Sequence, residues 1–171
     1  MAERVTVTER TGLGIATVMQ RQGASAPALS ATIGCPLPEG PRRTTMGPLS
    51  MIGTGPGSWL AMMDDAPADW AETLQPRLAG LASVSDQSGG YLVHRFAGAG
   101  ASGLLQRGVA IDLHPAAFPT GSVAATVIAH IGVILWRVDY DPSFDVAIFR
   151  SYADSFRHWI GATQSGLPHD Q

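Results

Sequence analysis

The chain has 171 residues, 45% of them hydrophobic and 15% charged, with 14 acidic and 11 basic side chains and a formal net charge of -3. Every basic residue is arginine, and neither lysine nor asparagine occurs, which removes a pyridoxal-phosphate Schiff base, a P-loop lysine and a Ser-x-x-Lys acylation pair. Mild acidity with a single adjacent basic pair, Arg42-Arg43, argues against a phosphate-backbone partner, which needs clustered cations.

The composition is that of a packed globular protein, long enough for one domain over residues 1–171 or for two small fused halves. Cys35 is alone and can form no internal disulfide, so a reducing compartment is expected. The first ten residues carry acids and no apolar segment, unlike a secretory leader. The most apolar stretch, Val123 to Trp136, is too short to cross a bilayer and contains His130. The expectation is a soluble cytoplasmic protein.

In chain order, Leu13 to Gln20 predicts a strand, and the alanine-rich run Gly23 to Ile33 predicts a helix ended by Gly34 and Pro36. Pro36 to Pro41 reads as a loop. Thr44 to Met63 reads as two strands around the turn Gly53 to Gly57. A helix starting near Pro67 places Trp70, Leu74, Leu78 and Leu81 on one stripe, with Pro76 expected to kink or split it. Asp64, Asp65 and Asp69 sit where acids cap a helix start.

Val84 to Phe96 reads as strand, turn and strand, and Gly98 to Gly108 as a short helix behind a glycine turn. After the loop Asp112 to Gly121, Ser122 to His130 and Val133 to Val138 predict paired strands turning near Gly132, followed by a strand from Phe144 to Arg150. Tyr152, Phe156, Trp159 and Ile160 share one face of a closing helix; Gln164 to Gln171 reads as a frayed tail. Strands joined by turns and interleaved with helices favour an α+β fold over a doubly wound sheet. Gly53-Thr54-Gly55 is echoed by Gly98-Ala99-Gly100, which suggests two related halves, 1–82 and 83–163.

Gly98-Ala99-Gly100-Ala101-Ser102-Gly103 satisfies Gly-x-Gly-x-x-Gly between a strand and a helix. A dinucleotide site also needs an acid at the end of the next strand, where Ala129 and His130 stand instead, so the competing reading is a plain strand-to-helix turn. Asp112 and His114, two apart on an extended segment, could hold a metal or act as an acid/base pair, but no third ligand is near and an ordered loop explains both. Asp154 and His158 form an i,i+4 pair on the last helix. There is no Gly-x-Ser-x-Gly elbow, and no histidine lies within fifty residues of Cys35. The tryptophans read as core or interface residues.

Ser85-Asp86-Gln87-Ser88, Arg95-Phe96-Ala97-Gly98, Gly108 to Pro115 with Phe118-Pro119, Ile134-Leu135-Trp136-Arg137, Phe144-Asp145 and Arg150-Ser151-Tyr152-Ala153 together resemble the gamma subunit of heterotetrameric sarcosine oxidase. The most specific pieces are Asp112-Leu113-His114-Pro115 and Arg150 to Ala153, and the likeness runs from Ser85 to Trp159. That family in turn resembles the folate-binding fold of the glycine-cleavage aminomethyltransferase. The resemblance implies antiparallel sheets with packed helices in two ferredoxin-like halves. It implies a flavin enzyme of alpha, beta, gamma and delta subunits that turns sarcosine into glycine, with hydrogen peroxide formed and the one-carbon unit passed to tetrahydrofolate. FAD, FMN, NAD, tetrahydrofolate and zinc would then be held by the other subunits and none by this chain.

Aminomethyltransferases carry an essential carboxylate in a Gly-Gly-Ile-Leu-Asp-Asp type segment; the comparable stretch here is Gly132-Val133-Ile134-Leu135-Trp136-Arg137. An arginine cannot accept a proton. The expectation is a non-catalytic subunit that docks on the alpha chain, with Asp112, His114, Pro115, Phe118, Trp136, Arg137, Arg150, Tyr152 and Trp159 as motif or interface candidates. The alternatives are a stand-alone folate-dependent one-carbon transferase and a small ligand-binding regulatory module.

Overall fold

The computed structural model describes residues 4–166. Along the chain run β1 (Thr6–Arg10), β2 (Gly14–Gln20), α1 (Ala26–Ile33), β3 (Arg43–Met46), β4 (Leu49–Gly55), β5 (Ser58–Met63), α2 (Trp70–Arg77), β6 (Ala82–Asp86) and β7 (Tyr91–Ala97). Then follow α3 (Ala101–Gln106), β8 (Val123–Ile128), β9 (Ile131–Asp139), β10 (Ser143–Phe149), a 3-10 turn (Arg150–Tyr152) and α4 (Ala153–Ser165). They form two compact units: Thr11 to Tyr91, and the residues up to Arg10 together with those from Leu92 onward.

In the first unit the strand order is β3-β4-β5-β2-β6, with antiparallel pairing throughout. Leaving out edge strand β3, this is the 4-1-3-2 order of a ferredoxin-like βαββαβ repeat. Helix α1 begins where Ser25 caps it, its hydroxyl accepting from Ala28 N–H at 3.3 Å, and ends at Gly34. Leu29 and Ile33 of α1 and Trp70, Leu74 and Leu78 in and beside α2 close over Ala16, Val18, Met51, Trp59 and Ala61 of the sheet.

The second unit repeats the scheme as β1-β7-β10-β9-β8. Here β7, β9 and β10 take the first three places, β8 is the added edge, and the last strand of the repeat is supplied by β1 from the other end of the sequence. Leu104 and Leu105 of α3 and Phe156 and Ile160 of α4 pack on Phe96, Leu135, Phe144, Val146 and Ile148. Side chains alternate along a strand, so with Val133 and Leu135 of β9 on the helix side, Trp136 lies on the opposite face, where it is fully buried.

Several sequence expectations need correction. Strand β1 was not foreseen, although Val5 and Val7, both packed on the core, alternate with Thr6 and Thr8. Thr44 to Met63 holds three strands, because the chain also turns at Gly47-Pro48. The strand, turn and strand expected over Val84 to Phe96 are present as β6 and β7, but they enter different sheets, β6 pairing with β2 and β7 with β1. The β8–β9 turn falls at Ala129-His130, both with positive φ (48° and 70°), and Gly132 lies within β9.

The helix expected to start near Pro67 and to carry its stripe to Leu81 spans Trp70–Arg77 only; Pro76 stands in its last turn, and Leu78 and Leu81 lie beyond it. Asp69 occupies the N-cap position of α2 without a side-chain capping bond. Gln164 and Ser165 belong to α4, and the rest of the expected tail from residue 167 lies outside the described residues. The glycine echo joins non-equivalent places, the β4–β5 turn and the β7–α3 turn, although the two units do share a strand order. Among the described residues no helix is long and apolar enough to cross a membrane.

Candidate functional site

The sequence candidates converge on one loop, Asp112 to Phe118, between α3 and β8. Its first turn is local: Asp112 Oδ1 accepts from His114 N–H at 2.8 Å, and His114 Nδ1 accepts from Ala116 N–H at 3.2 Å. The His114 carbonyl accepts from the amides of Ala117 and Phe118. Both side chains therefore order the loop, as Asx-type turns do, while Asp112, His114 and Pro115 stay exposed and Leu113 and Phe118 anchor the loop in the core.

Two reaches from other elements clasp this loop, one exposed and one buried. Gln106, at the end of α3, donates to the Ile111 carbonyl and accepts from Leu113 N–H at 3.1 Å. From β9, Arg137 Nη1 donates to the carbonyls of Leu113 (3.2 Å) and Phe118 (3.4 Å), while Nε and Nη2 reach the carbonyls of Asp139 and Tyr140. Its guanidinium lies 5.2 Å from the Phe144 ring centroid, and the residue is only 2% exposed. The Asp112 loop and the Trp136-Arg137 segment, separate in sequence, are thus one construction. An open cleft of about 310 Å³ lies between α3 and the loop, with Ser102, Gln106, Asp112 and His114 on its walls.

The remaining candidates lie around the start and inner face of α4. Arg150 and Tyr152 are exposed in the 3-10 turn that leads into it. Trp159 is half-buried, stacks on Phe156 at 5.6 Å and covers Gly108, where an added Cβ would stand 2.6 Å from the indole. Asp154 pairs with Arg157 at 3.1 Å rather than with His158.

The Gly98 turn is explained by backbone packing. Gly98 has a φ of +108°, and a Cβ there would meet the Arg4 carbonyl at 2.4 Å. The amides of Gly98 and Gly100 donate to the carbonyls of Pro142 and Arg4, so the donors that would cradle a pyrophosphate are already engaged. Among the described residues no group of three or more His, Cys, Asp or Glu could hold a metal.

Sequence reasoning missed a buried ion cluster. Asp145, fully buried on β10, accepts from Arg95 Nε and Nη2, each at 2.8 Å, and from Arg10 Nη1 at 2.9 Å. It stands opposite Trp136 in the β9–β10 register. Its partners are 50 and 135 residues away in sequence, beyond any local spacing rule. His94 was also missed: it is 4% exposed, its ring meets Phe156 edge-on at 5.3 Å, and Nδ1 has no partner. Burial pushes its pKa below the ordinary histidine value, against Glu9, which raises it, and with Arg157, which lowers it further. Burial likewise pushes the Cys35 thiol up, which makes it a poor nucleophile.

Two ferredoxin-like repeats with helices on one face of each sheet define the aminomethyltransferase class of α+β folds. The glycine cleavage system aminomethyltransferase T from Bartonella henselae aligns with 91% of this chain and 45% of its own length, with a TM-score of 0.66 at 11% identity. The model of the sarcosine oxidase, gamma subunit family matches residues 21–165, and the chain belongs to that family. A chain of the heterotetrameric sarcosine oxidase from Corynebacterium sp. U-96, solved in complex with pyrrole 2-carboxylate, is similar over 100% of this chain and 89% of its own, with a TM-score of 0.89 and 24% identity. Sarcosine oxidase gamma subunits from Corynebacterium sp. strains U-96 and P-1 are 28% and 26% identical over 151 and 150 residues, covering 88% of this chain and 73% of each relative.

Proposed function

We propose that this chain is the gamma subunit of a heterotetrameric, flavin-dependent sarcosine oxidase, that it docks on the alpha subunit, and that it carries no reaction centre of its own. The observation that carries the reading is the family match over residues 21–165. In this reading the complex works in the cytoplasm and demethylates sarcosine to glycine with formation of hydrogen peroxide. The alpha, beta and delta subunits bring FAD, FMN, NAD, tetrahydrofolate and zinc, and the one-carbon unit leaves on the folate.

The chemistry of the β9 segment supports it. Where an aminomethyltransferase needs a carboxylate, this chain has Trp136, sealed in the interior, and Arg137, whose donors are spent on four backbone carbonyls. Neither can take a proton from a folate-bound intermediate. The other buried carboxylate nearby, Asp145, is clamped by two arginines. What the segment does instead is hold the Asp112 loop in one shape. The exposed Asp112, His114 and Pro115, on a loop supported from within by Phe118 and Arg137, are then the surface offered to the alpha subunit. Trp136, on the other face of the sheet, and Arg150, Tyr152 and Trp159, at the start and on the inner face of α4, are separate interface candidates.

Co-expression of a tagged chain with candidate alpha, beta and delta subunits tests this directly. A purified complex bearing flavin is the expected result. A chain that purifies alone, as a folded monomer with no flavin-bearing partner retained, overturns it.

A further inference from the structure

Strand β8 closes its sheet and pairs with β9 along one edge only. The two-residue turn Ala129-His130 makes Ile128 and Ile131 the hydrogen-bonded pair that closes the hairpin. Ala124, Thr126 and Ile128 therefore direct their N–H and C=O groups toward β9, and Val123, Ala125 and Val127 direct theirs outward. The bond from Arg137 N–H to the Ser122 carbonyl, at 3.0 Å, keeps the same alternation. Near the turn the outer edge is covered: Ala129 N–H reaches the Gly108 carbonyl and Val109 bridges to Ile128. Along Val123 to Val127 no strand of the described residues pairs with it.

Such edges are normally guarded by charge, proline or a bulge. Val123-Ala124-Ala125-Thr126-Val127 has none of these, and Val127 is 49% exposed. The topologically equivalent edge of the other unit, β3, is four residues long and opens on Arg43 directly after Arg42. One repeat protects this edge and the other leaves it bare.

We propose that the β8 edge is a docking edge on which an extended, uncharged segment of the alpha subunit pairs as an additional strand. The proposal rests on the subunit reading above. Alternating donors and acceptors at strand spacing are matched by another extended polypeptide and by little else. The flanking Ala125 and Val127 offer no charge for an ionic ligand and fit a partner strand of small or β-branched residues.

The test uses the co-expressed complex. Hydrogen exchange on the wild-type complex is expected to show the outward amides of Val123 and Ala125 slowed at least about 100-fold relative to the exposed His130 amide. Ala125→Pro removes one outward donor and leaves the β8–β9 ladder intact; it is expected to lower partner retention at least about tenfold, with the free chain's melting temperature unchanged. If the complex forms but Val123 and Ala125 exchange as fast as His130, the docking edge is wrong and the subunit reading stands. If the wild type retains no partner, both fail. If Ala125→Pro does not fold, the wild-type exchange measurement decides alone. Protection found only in a concentration-dependent dimer of the chain by itself assigns the edge to a second copy and overturns the proposal.

Discussion

Arg137 donates to the backbone carbonyl of Leu113 at 3.2 Å, across 24 residues of sequence. A strand residue thereby sets the path of the loop that carries Asp112 and His114. Replacing Arg137 by methionine keeps most of the volume and strands the carbonyls of Leu113 and Phe118, each at about 1–3 kcal/mol. The expected outcome is a lower urea midpoint and faster amide exchange of Ala117 and Phe118. Lysine should not restore either, because it lacks the planar fork that reaches several carbonyls at once. Unchanged exchange in both variants would show that the loop holds itself.

Asp145→Ala leaves Arg10 and Arg95 beside a missing anion on a buried face. Breaking a buried pair in this way costs about 3–5 kcal/mol. Arg10→Ala should cost less, since Arg95 still meets both carboxylate oxygens. Denaturant titration of the two variants gives the order directly.

The β8–β9 turn is built from Ala129 and His130, both left-handed. Non-glycine residues in this region carry about 1–2 kcal/mol of steric cost. His130→Gly, or Ala129→Asn together with it, supplies the residues that a tight hairpin turn prefers. Calorimetry should show a higher melting temperature for the variants; an unchanged or lower one would show that the left-handed turn is not a source of instability.

Acid should weaken the seat of α4 through His94. Its folded pKa lies below the ordinary value of 6.5 because burial disfavours the cation. Below about 6.5 the unfolded chain therefore binds more protons than the folded one, and stability falls with pH until the folded value is passed. Glu9, opposite His94 in the β1–β7 register, and Arg157 of α4, which meets Glu9 at 3.5 Å, are the charged groups that modulate the effect. His94→Phe keeps the ring against Phe156 and should flatten the dependence of melting temperature on pH between about 7.5 and 5.

Elements that satisfy their own local rules were legible in sequence. α1 announces itself by its alanine-rich run and Gly34, and α4 by the spacing of Phe156 and Ile160. β1 was missed because Thr6 to Arg10 shows polar alternation with only Val7 pointing inward from within it. The β6 and β7 strands and the turn between them were legible, but their sheet partners were not, because a turn at Gly89-Gly90 joins two strands equally well whether they pair or enter different sheets. In the candidate site, the Asp112 loop was visible as a motif. Gln106 was not, since a glutamine at a helix end carries no signal of what it clasps. The Asp145 cluster depends on strand order, and strand order is settled by packing rather than by any local pattern.

The strand β1 completes a sheet whose other members are all made later, after the whole of Thr11 to Tyr91. During synthesis it emerges before its partners in the sheet, and it cannot pair until β7 and the Asp145 that Arg10 meets have followed. The ring it closes is long, and closing it is slow and entropically unfavourable. Any fusion that stiffens or occupies the residues just before Thr6 acts on the pairing of β1 with β7 and so on the completion of that sheet. An excised segment beginning at Leu92 would expose the bare edge of β7, and should aggregate unless β1 is added back as a peptide.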